Sequence, residues 1–290
     1  AGVWIVAARP KTLWAAVAPV VLGTALAVDS GAFHWLSATC ALLAAVLIQI
    51  GTNYSNDYHD FVKGADTSSR KGPLRVTQAG LVDPRSVRSA ATIAFALAFA
   101  AGLYLVWRGG WPILVVGLLS ILFGMLYTAG RYSLSYLGVA DLFVLVFFGP
   151  VAVAGTYYVQ ALELPWHVVV AGLGPGLLST AILLVNNTRD IDEDRAAGKR
   201  TIVVRMGRDF GVMLYGAVAA AAALVPIVLA ASLGDHYGSV AASGAVAVMA
   251  PGIIRKLRIG REGPELNPLL GATSRLLLIY SVLFGAGWLL

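Results

Sequence analysis

The chain has 290 residues, 58% of them hydrophobic and 12% charged, with a formal net charge of +6 and a mean hydropathy of +0.78. That balance excludes an ordinary water-soluble domain, which needs far more polar groups to cover its surface. The single cysteine, Cys40, lies in an apolar run, which excludes an internal disulfide and a cysteine-based metal site.

Apolar runs of about 20 residues, the length that crosses a hydrocarbon core of ~30 Å, recur along the whole chain. They predict an all-α, polytopic membrane protein built as one domain over residues 1–290. Residues 1–10 lack the charged head, short apolar stretch and cleavage site of a signal peptide, so the first helix is expected to be retained. The spans are read at 12–28, 36–57, 87–107, 111–129, 137–160, 167–188, 211–232, 237–254 and 271–289, nine in all. Pro19, Pro150, Pro175 and Pro226 fall inside them and predict kinks, because bundled membrane helices can re-satisfy freed backbone groups.

With nine spans, the N-terminus and every second loop share one side of the membrane. Every Lys and Arg except Arg108 then falls on that side. The positive-inside rule makes it the cytoplasm, so the N-terminus is predicted cytoplasmic, in a bacterial or archaeal plasma membrane.

The second span runs into Asn53-Tyr54-Ser55-Asn56-Asp57-Tyr58-His59-Asp60, continuing through Lys63 to Asp66. Positions 53, 56, 57 and 60 follow helical i, i+3, i+4, i+7 spacing, so two amides and two carboxylates share a face. The sixth span ends in Asn186-Asn187-Thr188-Arg189-Asp190-Ile191-Asp192-Glu193-Asp194. Here Asn186, Asn187, Asp190 and Asp194 share a face, and Asp192 and Glu193 point elsewhere on a continuous helix. Each cluster opens a polar cytoplasmic loop, residues 58–86 and 189–210. Their spacing of four helices hints at a duplicated unit.

A lone Asp at a membrane surface is usually a cap or a solvated loop end, but two acidic faces at a membrane boundary are costly and mark a site. Oxygen donors without His or Cys suit Mg²⁺, which is commonly shared between carboxylates and substrate phosphates. Candidate metal residues are Asn56, Asp57, Asp60, Asp66, Asn187, Asp190 and Asp194. Asp57, Asp60, Asp190 and Asp194 are the catalytic candidates. Lys63, Arg70, Lys71, Arg75, Arg189 and Lys199, with Arg200, supply charge for a diphosphate. Neither a Walker motif nor a strand-flanked Gly-rich loop is present, which argues against ATP. His59 lies off the motif face, and His34, His167 and His236 fall on the opposite side of the membrane, so no histidine receives a catalytic role.

These residues resemble the membrane-embedded aromatic prenyltransferases that make ubiquinone, menaquinone and related lipids. Asn56-Asp57-x-x-Asp60 extended to Asp66, and Asp190-x-x-x-Asp194, match that family's two Mg²⁺-diphosphate motifs in order and placement. Ala8-Arg9-Pro10-Lys11-Thr12, Gly72-Pro73-Leu74-Arg75 and Asn186 to Ile191 are most similar to the 1,4-dihydroxy-2-naphthoate prenyltransferases of menaquinone synthesis. The resemblance implies nine helices around a central cavity, Mg²⁺ as cofactor, a polyprenyl diphosphate donor whose tail leaves toward membrane lipid, and an aromatic acid acceptor. It also implies prenylation at the carboxylate-bearing carbon with loss of CO₂, giving demethylmenaquinone. Neither a nucleic acid nor an obligate protein partner is expected.

Acceptor or allylic-cation contacts are assigned to Arg9, Asn53, Tyr54, Tyr127, Arg131 and Asp141, with Tyr58 as a further aromatic candidate. One departure stands out: after Tyr127-Thr128-Ala129-Gly130 the family carries a basic residue and Pro-Tyr-Gly-Tyr, whereas this chain reads Arg131-Tyr132-Ser133-Leu134-Ser135-Tyr136. Two alternatives stay open. One keeps the enzyme and changes the acceptor to 4-hydroxybenzoate, homogentisate or a porphyrin. The other is a cation-coupled transporter, since carboxylates in membrane helices also build ion pathways.

Overall fold

A computed structural model describes residues 2–64, 72–130, 133–260 and 263–290. Asp66, Arg70, Lys71 and Arg131 of the expected site lie outside the described residues.

A short helix α1 (Gly2–Ala8) leads through Arg9, held in a left-handed conformation at φ 51°, to Pro10 at the start of α2 (Pro10–Asp29). Proline is pre-set for a first helical turn and has no N–H to leave unbonded there. After a short turn, α3 (Trp35–Val62) returns antiparallel and ends at Lys63 and Gly64, the latter at φ +67°. The side chain of Asp83 accepts N–H groups of Arg85 and Ser86 at 2.9 and 3.3 Å, capping α4 (Pro84–Gly109). Helix α5 (Trp111–Leu126) follows, then a single turn α6 (Leu134–Leu137).

The fifth span is α7 (Ala140–Ala161), broken by a π-helical turn at Phe147–Val151 around Gly149 and Pro150. The break is packed, not loose. A methyl group on Gly149 would lie 2.7 Å from the carbonyl oxygen of Gly172 and from the Cα of Gly176, on α8 (Trp166–Arg189). Glycines on both helices let the backbones touch, the usual way membrane helices approach closely. Arg108 donates to the carbonyls of Val159 and Gln160 at 2.7 and 3.0 Å. The one cation predicted on the far side thus closes the C-terminus of α7.

The expected loop 189–210 is largely helical, a difference from the sequence reading. It holds α9 (Ile191–Ala196) and α10 (Ile202–Met206), the second capped by Thr201. Then come α11 (Arg208–Leu233), α12 (Tyr237–Ile259) and α13 (Gly263–Trp288). Among the described residues, eight helices are long and apolar enough to cross a membrane, and α5 is a ninth, shorter apolar helix. Each sequence-predicted span has its helix. The last begins eight residues earlier than expected because Pro268 and the polar turn around it are tolerated inside the helix.

Helix α8 is the most enclosed, packed against α11, α13, α7 and α2. Its core partners include Tyr215 and Tyr280, whose buried hydroxyls bond Thr273 at 3.1 Å and the Ala222 carbonyl at 2.8 Å. A buried tyrosine needs such a partner for its hydroxyl. This core fixes the end of α8, whose polar cluster lines the same cavity as that of α3.

Candidate active site

The two acidic clusters converge. On α3, the buried residues Asn53, Asn56, Asp57 and Asp60 form the stripe that helical spacing predicted. Asp57, however, turns away from the space between the helices. Its two carboxylate oxygens accept the backbone N–H groups of Val76 and Thr77, both at 3.1 Å. This clamp seats the segment 72–83 and brings Arg75 onto Asp60, Nη2 to Oδ2 at 2.9 Å, with both side chains buried. The other oxygen, Oδ1 of Asp60, is buried and accepts no hydrogen bond.

At the end of α8 the helix breaks at Asp190 (φ −96°, ψ 14°). Arg189 folds back on it, donating from Nε to Oδ1 and from Nη2 to Oδ2, each at 2.6 Å. The guanidinium also holds Asn186 at 2.6 Å and Asn267 at 3.2 Å. Such a bidentate fork fixes both partners. The break resets the helical phase, so Asp194 stays buried while Glu193, expected to point elsewhere, swings in to line the cavity. Asp192 does point out, exposed and 3.7 Å from Arg195.

Lys199 joins the two clusters. Its ammonium lies 3.2 Å from Asp194 and 3.9 Å from Asp60. Burial works against its charge, but Asp60 and Asp194 outweigh this and raise its pKa above the usual ammonium value. Asp194 is pushed up to about 6, first by burial and then by the nearby Asp190 and Asp60 carboxylates, against the opposing pull of Lys199.

A cavity of about 830 Å³ opens from these groups into the bundle. Arg9, Lys11, Asn53, Asn56, Asp60, Arg75, Tyr127, Asn187, Arg189, Asp190, Asp194 and Lys199 line its polar part. The rest is apolar, with Ala41, Leu105, Ile113, Phe147 and Val159 among its walls. The donors fit a hard divalent cation: an orphaned Asp60 oxygen, two further carboxylates and two amides face one space. Among the described residues no group of three or more acidic, histidine or cysteine side chains forms a metal-binding cluster.

Several predicted residues do not reach the cavity. Lys63 instead donates to the carbonyls of Thr128 and Gly130, the latter at 2.8 Å, with its ammonium 4.3 Å from the Tyr136 ring centre. It sits beyond the last turn of α3, where carbonyls of the α5–α6 connection compensate its charge. Tyr54 faces α1, stacking edge-on against Trp4 and bonding its carbonyl at 3.2 Å, and Tyr58 lies against His59. Arg200 is exposed. Asp141 starts α7 with a buried, unbonded Oδ1 but is not part of the cavity wall. Conversely, Thr128 was missed. Its hydroxyl donates to Asn56 at 2.7 Å, and the only signal for it was its place in the Tyr127-Thr128-Ala129-Gly130 run. Gln49, one turn before Asn53, was missed as well and lines the cavity.

The sequence carries the same signature as a known group, whose family model, the UbiA prenyltransferase family, matches residues 16–265. The chain belongs to the UbiA prenyltransferase family. It is an aromatic prenyltransferase and a multi-pass membrane protein, which decides between the enzyme and transporter readings. A 1,4-dihydroxy-2-naphthoate octaprenyltransferase of Mycobacterium tuberculosis is 41% identical over 280 residues, covering 96% of this chain and 94% of its own. The enzyme of that name from Haemophilus influenzae is 32% identical, covering 99% and 96%. The UbiA fold is seen in a homolog from Aeropyrum pernix K1, with a TM-score of 0.72 at 17% identity over 95% of this chain and 96% of that one. A second UbiA homolog, from Archaeoglobus fulgidus and bound to GPP and Mg²⁺, has a TM-score of 0.63 at 16% identity over 96% and 98%.

Proposed function

We propose that this UbiA-family enzyme transfers a polyprenyl group from polyprenyl diphosphate to 1,4-dihydroxy-2-naphthoate with loss of CO₂, giving demethylmenaquinone. The reaction is Mg²⁺-dependent and runs at the cytoplasmic face of a bacterial or archaeal plasma membrane. One observation carries the reading: Asp60, Asp190 and Asp194 stand with Arg75, Arg189 and Lys199 on one cavity whose remaining walls are mostly apolar. A diphosphate bearing a long hydrocarbon matches both halves. The names of the relatives support the acceptor, and the GPP- and Mg²⁺-bound homolog supports the donor and the metal.

Asn56, Asp60, Asn187, Asp190 and Asp194 would hold the metal. When bound, Mg²⁺ supplies positive charge to the diphosphate leaving group. Arg75 and Lys199 bind the remaining phosphate charge, and Arg189 orients Asp190. Asp57 acts at one remove, by holding the backbone that presents Arg75. The allylic C–O bond breaks with its electron pair going to the diphosphate. The apolar walls exclude water from the resulting carbocation, and the Tyr127 ring faces the cavity where a π-face stabilises it. Arg9, at the junction of α1 and α2, draws the acceptor carboxylate. The ring carbon bearing that carboxylate forms the new C–C bond, and departure of CO₂ returns an electron pair to the ring and restores its aromaticity.

The test uses purified protein, farnesyl or geranylgeranyl diphosphate, and 1,4-dihydroxy-2-naphthoate labelled in its carboxylate. A lipid product formed with stoichiometric labelled CO₂, and only with Mg²⁺ present, is the expected result. Product from 4-hydroxybenzoate and none from the naphthoate would overturn the acceptor assignment, and full activity in excess chelator would overturn the metal.

A further inference from the structure

The cavity face of α3 carries a polar stripe whose deepest member is left over by the mechanism above. Along it, Asn53 donates from Nδ2 to the Ala8 carbonyl at 2.8 Å and to the Thr12 hydroxyl at 3.2 Å. Asn56 accepts from Thr128, and Asp60 accepts from Arg75. One turn deeper than Asn53, Gln49 lines the same cavity, is 9% exposed, and makes no hydrogen bond to any residue. Helices α2 and α3 run antiparallel with Thr12 beside Asn53, so four residues deeper Gln49 stands level with Ala16, whose methyl group has nothing to bond. Below Gln49 the α3 face of the cavity wall, Ala41, Ala44, Ala45 and Ile48, is apolar, and Thr52 lies between Gln49 and Asn53 on the same wall. The amide bonds no protein group and faces the space that substrates enter, so a ligand hydroxyl there can be its partner.

The donor does not satisfy it. Gln49 lies eleven residues from Asp60, ~16 Å along the helix, too far to share the diphosphate, and a prenyl chain has no hydrogen-bonding atom. The aromatic acceptor does. A ring hydroxylated at para positions carries its two oxygens on opposite edges, roughly 5–6 Å apart, close to the ~6 Å that separates Asn53 from Gln49 along α3.

We propose that Gln49 is a specificity-determining residue that hydrogen-bonds the distal hydroxyl of a para-dihydroxylated aromatic acceptor, with Asn53 serving the hydroxyl next to the reacting carbon. The inference rests on the acceptor reading above and sharpens it: the depth of the polar stripe on α3 distinguishes a dihydroxylated ring from a monohydroxylated one. A pocket built to bond a hydroxyl discriminates against the analogue lacking it, because the protein's own polar group is then left unpaired.

The test compares wild type with Gln49→Met, which keeps the side-chain length and removes the amide. Both full-length proteins are assayed anaerobically with one prenyl diphosphate and either 1,4-dihydroxy-2-naphthoate or 1-hydroxy-2-naphthoate. The missing hydroxyl also lowers the ring's intrinsic reactivity, so the quantity read is the ratio of the two proteins' preferences. The wild-type preference for the dihydroxy acceptor in kcat/KM should shrink by about tenfold in Gln49→Met. The change should lie in the acceptor KM, with the prenyl diphosphate KM unchanged. In substrate-free protein the thermal midpoint of the variant should equal or exceed that of wild type, since only an unpaired amide is lost. An unchanged preference, an equal loss with both acceptors, or a lowered midpoint in the substrate-free variant overturns the proposal. If wild type fails to prenylate 1,4-dihydroxy-2-naphthoate at all, the acceptor reading itself has failed.

Discussion

The ends of α3 and α8 bring the same kinds of residue to one cavity and use them in opposite ways. On α3 the helix runs unbroken through the cluster, and its two carboxylates divide the work: Asp57 is occupied by two backbone N–H groups, while Asp60 has one oxygen that accepts no hydrogen bond and lies 3.9 Å from the Lys199 ammonium. On α8 the helix breaks within the cluster, and Asp190 is gripped by the arginine beside it in sequence. Identical carboxylates at similar depth therefore differ in what is left for a ligand. Whether a carboxylate faces the cavity, as Asp60, Asp190 and Asp194 do and Asp57 does not, separates the groups proposed to hold a metal from the one that holds the frame.

The sharpest way to break that comparison is to exchange the two acids of α3. Asp60→Asn removes an open, charged donor and should lower kcat/KM for prenyl transfer by about 10³-fold or more, ~4 kcal/mol. Asp57→Asn, whose NH₂ group cannot accept an N–H, should lower thermal stability by about 1–3 kcal/mol and raise the KM for prenyl diphosphate through a loosened Arg75. Activity with graded prenyl diphosphate, read beside thermal unfolding, separates them. If Asp57→Asn leaves stability intact and matches the loss in Asp60→Asn, the division of labour is wrong.

The two lysines offer a smaller contrast. Lys199→Ala removes the cation between both motifs and should raise the prenyl diphosphate KM about 10–100-fold, for a lost charge-assisted contact of ~1.5–3 kcal/mol. Lys63→Ala should leave that KM within about threefold, because its ammonium is bonded to loop carbonyls. Initial-rate kinetics at saturating acceptor distinguish the two, and equal effects would return Lys63 to the diphosphate. The mildest expected change is Thr128→Val, which deletes the hydrogen bond to Asn56 and should cost about 0.5–1.5 kcal/mol in thermal stability, with no change in acceptor preference.

The fold was largely legible because a membrane span announces itself in composition. A stretch of α8 such as Ala181 to Val185 has no other stable environment, and the positions of Asn53, Asn56 and Asp60 share a face by helical period alone. Boundaries failed where the pattern was locally polar yet still helical, as at Ile191–Ala196, and one phase error, at Glu193, followed from treating Arg189 to Asp194 as continuous helix.

By itself the sequence determined the class of structure and the two acid-bearing helix ends, and it suggested the kind of ligand proposed for them, since each depends on residue type and short-range spacing. Only the tertiary structure decided which of those acids face the cavity. That depends on groups distant in the chain: the N–H groups of Val76 and Thr77 that occupy Asp57, the Lys199 ammonium between Asp60 and Asp194, and the carbonyls of the α5–α6 connection that draw Lys63 away. Charge and hydrogen-bonding capacity are local properties of a residue, but whether they are already satisfied is a property of everything folded around it.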